Sequence, residues 1–294
     1  MSFEMQYRPL GKTGKQVSVI GLGTWQFGGE WGQKFSVREV RNILAAARDV
    51  GLNFIDTAEC YGDHVSEKLL GKAVKDDGGH WIIATKFGHK FKGFLERQAD
   101  YSVAGMKSQL EKSLKALKRE QIDLYQAHGV SEETFANDEL WTVLDKLKQE
   151  GKIGAIGVSI NYDALVLDRD IIDTVQVVYN RLDREAEKEI FPKAKETNLG
   201  VLARVPLASG FLSGKYSPGS RWSKKDVRKH MTDENIDSRL REVEKIKENE
   251  LPEGVSLAAW ALAWCLKNPL VSTVIPGCKS VEQALQNASA VELL

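Results

Sequence analysis

One rhythm constrains this 294-residue chain more than any single motif. A short apolar, β-branched run is followed by a longer amphipathic segment and a turn, and then the pattern starts again. The runs are "VSVIGLG" near the start, "NFID" (53–56), "WIIATK" (81–86), "IDLYQAH" (122–128), "IGAIGVS" (153–159), "TVQVVYN" (174–180), "VLARVPL" (201–207) and "STVIPG" (272–277). Between and after them, 3.6-residue spacing predicts helices over 36–51, 66–75, 102–118, 138–151, 187–200, 256–267 and 281–291, with a shorter one near 162–169. The first helix shows its punctuation: Ser36 and Glu39 form a capping box and Gly51 supplies a C′ stop.

Parallel strands need crossover helices, and strands covered on both faces read as apolar runs, as these do. Eight such units in under 300 residues predict an α/β chain closed into a (β/α)8 (TIM) barrel, preceded by an N-terminal β-hairpin that turns at Gly11–Gly14. An open doubly wound sheet is the competing architecture. It normally carries G-x-G-x-x-G after its first strand, and "GLGTW" lacks the third glycine. The barrel is expected to be a single domain over 1–294. Residues 217–254 break the rhythm with a long, densely charged stretch, expected to be a charged insertion or lid after the seventh strand.

Composition narrows the function classes. The 41 basic residues balance 41 acidic ones, so neither a nucleic-acid partner nor an anionic membrane surface is expected. The most apolar run, "LAAWALAWCL" (257–266), is too short to span a bilayer. Cys60, Cys265 and Cys278 form no C-x-x-C pair, and "MSFEMQYRPL" has no apolar signal region. The expectation is a cytoplasmic protein with reduced thiols and no metal centre.

The candidate chemistry collects where predicted strands end. Asp56 ends the second strand, Lys86 the third and His128 the fourth, with Tyr61 in the loop after the second. In a parallel barrel, consecutive strands deliver these groups to one rim, the C-terminal one, where active sites sit.

The segments "GLGTW", "FIDTAECYG", "ATK", "DLYQAH", "IGAIGVS", "PLASGFLSGKY" and "IPG…N", in this order, resemble the aldo-keto reductase superfamily, in its prokaryotic and potassium-channel β-subunit-like branch. The resemblance implies a (β/α)8 barrel, NAD(P)H bound without a Rossmann fold, and reversible reduction of a small-molecule carbonyl. It also implies a catalytic tetrad of Asp56, Tyr61, Lys86 and His128. Tyr61 is then the general acid. Its ordinary pKa of about 10 is high for work near neutrality, and Lys86 is expected to lower it. Asp56 holds Lys86 charged and oriented, and His128 donates a hydrogen bond to the carbonyl oxygen.

The resemblance extends to the cofactor. Ser159 and Gln176 match the pair that holds the nicotinamide carboxamide, with Asn161 one place late because Ile160 fills the usual slot. Arg204 stands where commoner relatives place a stacking aromatic. The segment from Pro206 to Lys215 is expected to wrap the pyrophosphate, through Pro206, Leu207, Ser209, Gly210, Leu212 and Gly214, with charge from Lys215. Gly277 and Lys279 precede the last helix, whose N-terminus suits a phosphate. Lys279 is the candidate for the adenosine 2′-phosphate, Gln283 and Asn287 for adenine, and Gln286 lies between them. NADPH is favoured, with NADH possible. Trp25 and Phe87 are expected to form the substrate mouth, and Trp31 ordinary rim packing.

Two other readings compete. A cofactor-binding regulatory subunit like the potassium-channel β subunits would share barrel and tetrad. A metal-dependent barrel hydrolase using His128, His64 and Asp56 is disfavoured because no H-x-H pair follows the first strand.

Overall fold

The computed structural model describes residues 3–75, 78–161, 167–222, 226, 228 and 231–294. The chain opens with an antiparallel hairpin, β1 (Tyr7–Pro9) and β2 (Gln16–Ser18), turning through a short 3-10 segment at Gly11–Thr13. The barrel strands then follow, beginning with β3 (Leu22–Gly23), β4 (Phe54–Asp56) and β5 (Ile82–Phe87). A second antiparallel hairpin, β6 (His89–Gly93) and β7 (Glu96–Ala99), interrupts them. The remaining barrel strands are β8 (Leu124–His128), β9 (Ile156–Ser159), β10 (Thr174–Val178), β11 (Gly200–Arg204) and β12 (Val271–Val274).

The eight barrel strands pair in parallel, in the order β12-β11-β10-β9-β8-β5-β4-β3. Parallel bridges from Ile20 to Val274 and from Gly23 to Gly277 close the two ends onto each other. At this seam Gly21 N donates to Val274 O at 2.8 Å and Gly23 N to Pro276 O at 3.0 Å. A Cβ on Gly23 would lie 2.7 Å from Ile275 O, so the closure itself requires a glycine there.

The helices are α1 (Val37–Asp49), α2 (Val65–Ala73), α3 (Val103–Leu117), α4 (Glu132–Phe135), α5 (Asp138–Gln149), α6 (Ile190–Glu196), α7 (Asp233–Asn249), α8 (Leu257–Leu266) and α9 (Val281–Ala288). The capping box expected for α1 forms: Ser36 Oγ accepts from Glu39 N, and Glu39 returns a carboxylate oxygen to Ser36 N. Pro192 is the third residue of α6, in the first turn, where no intrahelical donor is lost. Most of the short helix expected near 162–169 lies outside the described residues. Among the described residues no helix is long and apolar enough to cross a membrane.

Two apolar layers hold the barrel. Inside, at the end where strands begin, Phe54, Ala84, Leu124, Ala155, Leu202 and Ile275 meet Leu10 and Val17 of the first hairpin, which plugs that end. Outside, Val40, Leu44, Leu110, Leu144 and Leu262 of the helices pack against outward strand residues such as Ile55, Ile83 and Val158. With the entry end plugged, the opposite rim is left to hold a site.

The charged stretch 217–254 is partly a packed helix. Ile236, Leu240, Val243 and Ile246 of α7 bury against Phe211 and Leu212 and against Leu257, Trp260 and Ala261 of α8. Upstream of α7, Asp226 and Arg228 from the same stretch reach the rim.

Candidate active site

Strand alternation decides which rim residues face the barrel axis. Asp56 and Lys86, on adjacent strands, both turn inward and meet. Lys86 Nζ donates to Asp56 Oδ1 and Oδ2 at 2.8 and 2.7 Å and to Thr57 O at 2.8 Å. Lys86 is fully buried and Asp56 is 3% exposed, so each charge depends on the other. Two amides complete the carboxylate's shell: Gln176 Nε2 donates to Asp56 Oδ1 at 2.7 Å and Gln126 Nε2 at 3.3 Å. Both glutamines sit within apolar strand runs, and Ser159 Oγ donates to Gln176 Oε1 at 3.3 Å.

Tyr61 closes the constellation, with its hydroxyl 3.5 Å from Lys86 Nζ. Its loop is held by a backbone-to-backbone contact. A Cβ on Gly62, whose φ is +65°, would lie 2.2 Å from Gly28 O. Trp25 stacks on the Tyr61 ring at 6.0 Å between centroids and 23° between planes, and donates its indole N–H to Glu30 at 2.8 Å. His128 meets the same ring edge-on at 6.5 Å.

Burial raises the Tyr61 phenol well above its ordinary value, and the Asp56 carboxylate adds to the effect. This direction is opposite to the lowering expected from Lys86. The Lys86 charge is already balanced by Asp56, and desolvation of a phenolate dominates. Tyr61 therefore carries its proton at neutral pH. Burial, with Lys86 second, holds His128 well below the imidazole range, so its ring is neutral. Tyr101 OH donates to the His128 backbone carbonyl.

A cleft of about 680 Å³ opens beside these groups. Asp56, Tyr61, His128, Gln176 and Trp25 line it, together with Arg204, Pro206, Leu207, Ser209, Gly210, Lys215, Gly277, Lys279, Gln283, Gln286 and Asn287. Other expected residues fall elsewhere. Phe87 is fully buried and packs on Tyr125 at 4.9 Å, because the strand position after inward Lys86 must face the helices. It forms no part of the substrate mouth. Leu212 points into the core with α7 and α8, and neither it nor Gly214 lines the cleft. Ser159 lies behind Gln176, and exposed Asn161 accepts from Arg204 Nη2 at 2.6 Å. Trp31, expected as rim packing, does line the cleft.

Several lining residues escaped the sequence reading: Cys60, His89, Leu95, Arg97, Tyr216 and Arg228. His89, Leu95 and Arg97 come with the second hairpin. Its signal was the polar–apolar alternation of "HKFKG". Arg228 was hidden in a charged run. It pairs with Asp226 at 2.7 Å, stacks on Trp222 at 4.2 Å and donates to Ser209 O at 3.2 Å.

The wall opposite the tetrad suits a ligand carrying phosphate and a polar aromatic base. Ala208, Ser209 and Gly210 are consecutively left-handed, which curls the backbone into a tight arch. Lys215, Lys279 and Arg228 bring three cations to the cleft. Two buried donors on its wall, Asn287 Nδ2 and Trp31 Nε1, have no hydrogen-bond partner among the described residues. Lys279 Nζ donates to Trp31 O at 3.0 Å, and Gln283 Oε1 accepts from Lys279 N at 2.9 Å.

Residues 19–294 match the model of the Aldo/keto reductase family. A protein described as a probable voltage-gated potassium channel subunit beta from Oryza sativa subsp. japonica is 31% identical, covering 99% of this chain and 92% of its own. Among solved structures, the holo form of aldo-keto reductase AKR11C1 from Bacillus halodurans superposes with a TM-score of 0.84 at 32% identity, over 98% of this chain and 91% of that one. The glycerol dehydrogenase AKR11B4 from Gluconobacter oxydans gives 0.85 at 30% identity, over 96% and 89%.

Proposed function

The chain belongs to the aldo/keto reductase family, an NAD(P)H-dependent oxidoreductase by that membership, and from this premise we propose that it reduces aldehydes and ketones to alcohols with NADPH, Tyr61 giving the proton. The observation that carries the reading is the Asp56–Lys86–Tyr61 chain, in which a buried ammonium closed by a carboxylate stands 3.5 Å from a protonated phenol.

When bound, NADPH supplies the hydride. The chain's own residues handle the rest. As negative charge develops on the carbonyl oxygen, the Tyr61 hydroxyl transfers its proton there and leaves a phenolate. Lys86 stabilises that phenolate, and Asp56 keeps the ammonium in place without reaching the tyrosine itself. Neutral His128 donates a hydrogen bond to the same carbonyl oxygen and orients it. Trp25, Leu95 and the His89–Arg97 side of the cleft exclude water from the reacting carbon.

For the cofactor, Gln176 with Ser159 behind it would hold the carboxamide, and Arg204 the nicotinamide side. The 206–215 arch with Lys215 would take the pyrophosphate, Lys279 and Arg228 the 2′-phosphate, and Gln283 and Asn287 the adenine. Gln176 then serves twice, since its amide also fixes Asp56. Three buried thiols outside any disulfide support a cytoplasmic setting.

The test is incubation of the purified protein with NADPH and 4-nitrobenzaldehyde, following loss of nicotinamide absorbance. Turnover is expected. Tight NADPH binding without turnover would favour a regulatory subunit, the reading favoured by the names of its potassium-channel relatives. Absence of cofactor binding would overturn both.

A further inference from the structure

Beside Tyr61 the cleft wall joins His128 to two residues, Cys60 and His89, that the proposed proton transfer does not use. Cys60 Sγ lies 3.8 Å from His128 Nδ1. The His89 and His128 rings approach to 4.4 Å between centroids. One potential ligand atom from each of Cys60, His89 and His128 falls within 4.8 Å of the other two. The three residues come from the loop after β4, the start of β6 and the end of β8, and all three line the cleft, so a small ion has a path to them.

This donor set and spacing have a chemical meaning. In a tetrahedral zinc site, Zn–S near 2.3 Å and Zn–N near 2.0–2.1 Å separate the sulfur from a nitrogen by about 3.6 Å. The Cys60–His128 spacing already stands close to that. Two of the nearby cations are paired, Lys86 with Asp56 and Arg97 with Glu30 at 2.6 Å, and Arg97 also reaches the Cys60 sulfur. Thiolate and imidazole donors select Zn²⁺ and Co²⁺ over Mg²⁺ and Ca²⁺, and three protein ligands leave a fourth position open toward the cleft.

We propose that Cys60, His89 and His128 form a binding site for a soft divalent cation of the zinc class, and that its occupation inhibits the enzyme. Binding exchanges the thiol proton for the metal: the Cys60 S–H bond breaks, a sulfur–metal bond forms, and the proton leaves to solvent with no change of oxidation state. Each imidazole gives a lone pair. The ion then occupies the cleft beside Tyr61 and His128, where the carbonyl has to bind. The inhibitory consequence rests on the carbonyl site proposed above, whereas the binding does not.

The experiment uses Co²⁺ as the probe, titrated into the full chain without nucleotide. A thiolate-to-cobalt charge-transfer band saturating at one equivalent is expected, and Zn²⁺ should displace it. Cys60→Ser should abolish the band. His89→Ala should weaken Co²⁺ binding by at least the ~10–100-fold that follows loss of even an outer-shell partner. Circular dichroism establishes that each variant is folded. In the reductase assay, the Zn²⁺ concentration for half-inhibition should rise in His89→Ala by the same factor. Absence of the band at saturating Co²⁺, or its persistence in folded Cys60→Ser, overturns the site. A normal cobalt spectrum with no Zn²⁺ inhibition overturns the inhibitory half and leaves the binding site standing.

Discussion

Glu59 offers a test in which removing a charge-bearing group stabilises the protein. Its side chain is buried; one oxygen accepts from His89 N at 3.0 Å, and the other has no partner among the described residues. Burial, reinforced by Glu67, raises the carboxyl from 4.5 to about 8. The sign follows from proton counting. Between those values the unfolded chain has released its proton while the folded chain keeps it, so the unfolded state binds fewer protons and stability falls as pH rises. The stability is intact below 4.5 and is lost as pH climbs to about 8. At about 1.4 kcal/mol per pH unit, the loss is about 3 kcal/mol at pH 7 and about 5 kcal/mol above pH 8. Glu59→Gln keeps the shape and the acceptor for His89 but has no proton to lose. Near pH 5 the variant should match the wild type within about 1 kcal/mol, and at pH 7 it should be more stable by about 2–3 kcal/mol. Urea unfolding in chelator-containing buffer reads this directly. With a slope of roughly 3 kcal/mol/M, the midpoint gains about 1 M at pH 7. A difference between the two proteins that does not change with pH would refute the reasoning.

Two further outcomes follow from the site. Asp56→Ala leaves the buried Lys86 ammonium, among the described residues, with Thr57 O and the Tyr61 hydroxyl; a loss of about 3–5 kcal/mol in urea unfolding is expected, and a loss under about 1 kcal/mol would show that Lys86 finds another partner. Lys279→Ala should raise the Kd for NADPH about tenfold, equivalent to about 1.4 kcal/mol, while leaving NADH unchanged; equal losses for both nucleotides would remove Lys279 from the 2′-phosphate.

The barrel was legible because its evidence is local and repeated: eight apolar runs with helix-period segments between them specify parallel strands wherever they lie. The strand ends were legible for the same reason, which is why Asp56, Lys86 and His128 could be assigned to one rim. Facing was less secure. Phe87 follows Lys86 directly, and the period of two that points the lysine inward turns the phenylalanine toward the helices. The second hairpin was missed because it sits in a loop between two barrel strands, where short alternation has no partner run to define it. His89 and Arg97 went unnoticed with it. The Cys60–His89–His128 cluster and the contact of Arg228 with Ser209 join residues from separate elements. No pattern in one segment encodes such meetings. Gln126 did leave a trace, as a buried polar residue inside an apolar run beside the Asp56 carboxylate.

The central claim is that Tyr61 carries the proton. Tyr61→Phe removes one oxygen and leaves the ring to stack on Trp25. With folding checked by circular dichroism and NADPH binding by fluorescence titration, the variant should keep its Kd for NADPH. Its rate of 4-nitrobenzaldehyde reduction should fall about 10²–10⁴-fold. A folded, NADPH-binding Tyr61→Phe protein that reduces the aldehyde at close to the wild-type rate would contradict the account.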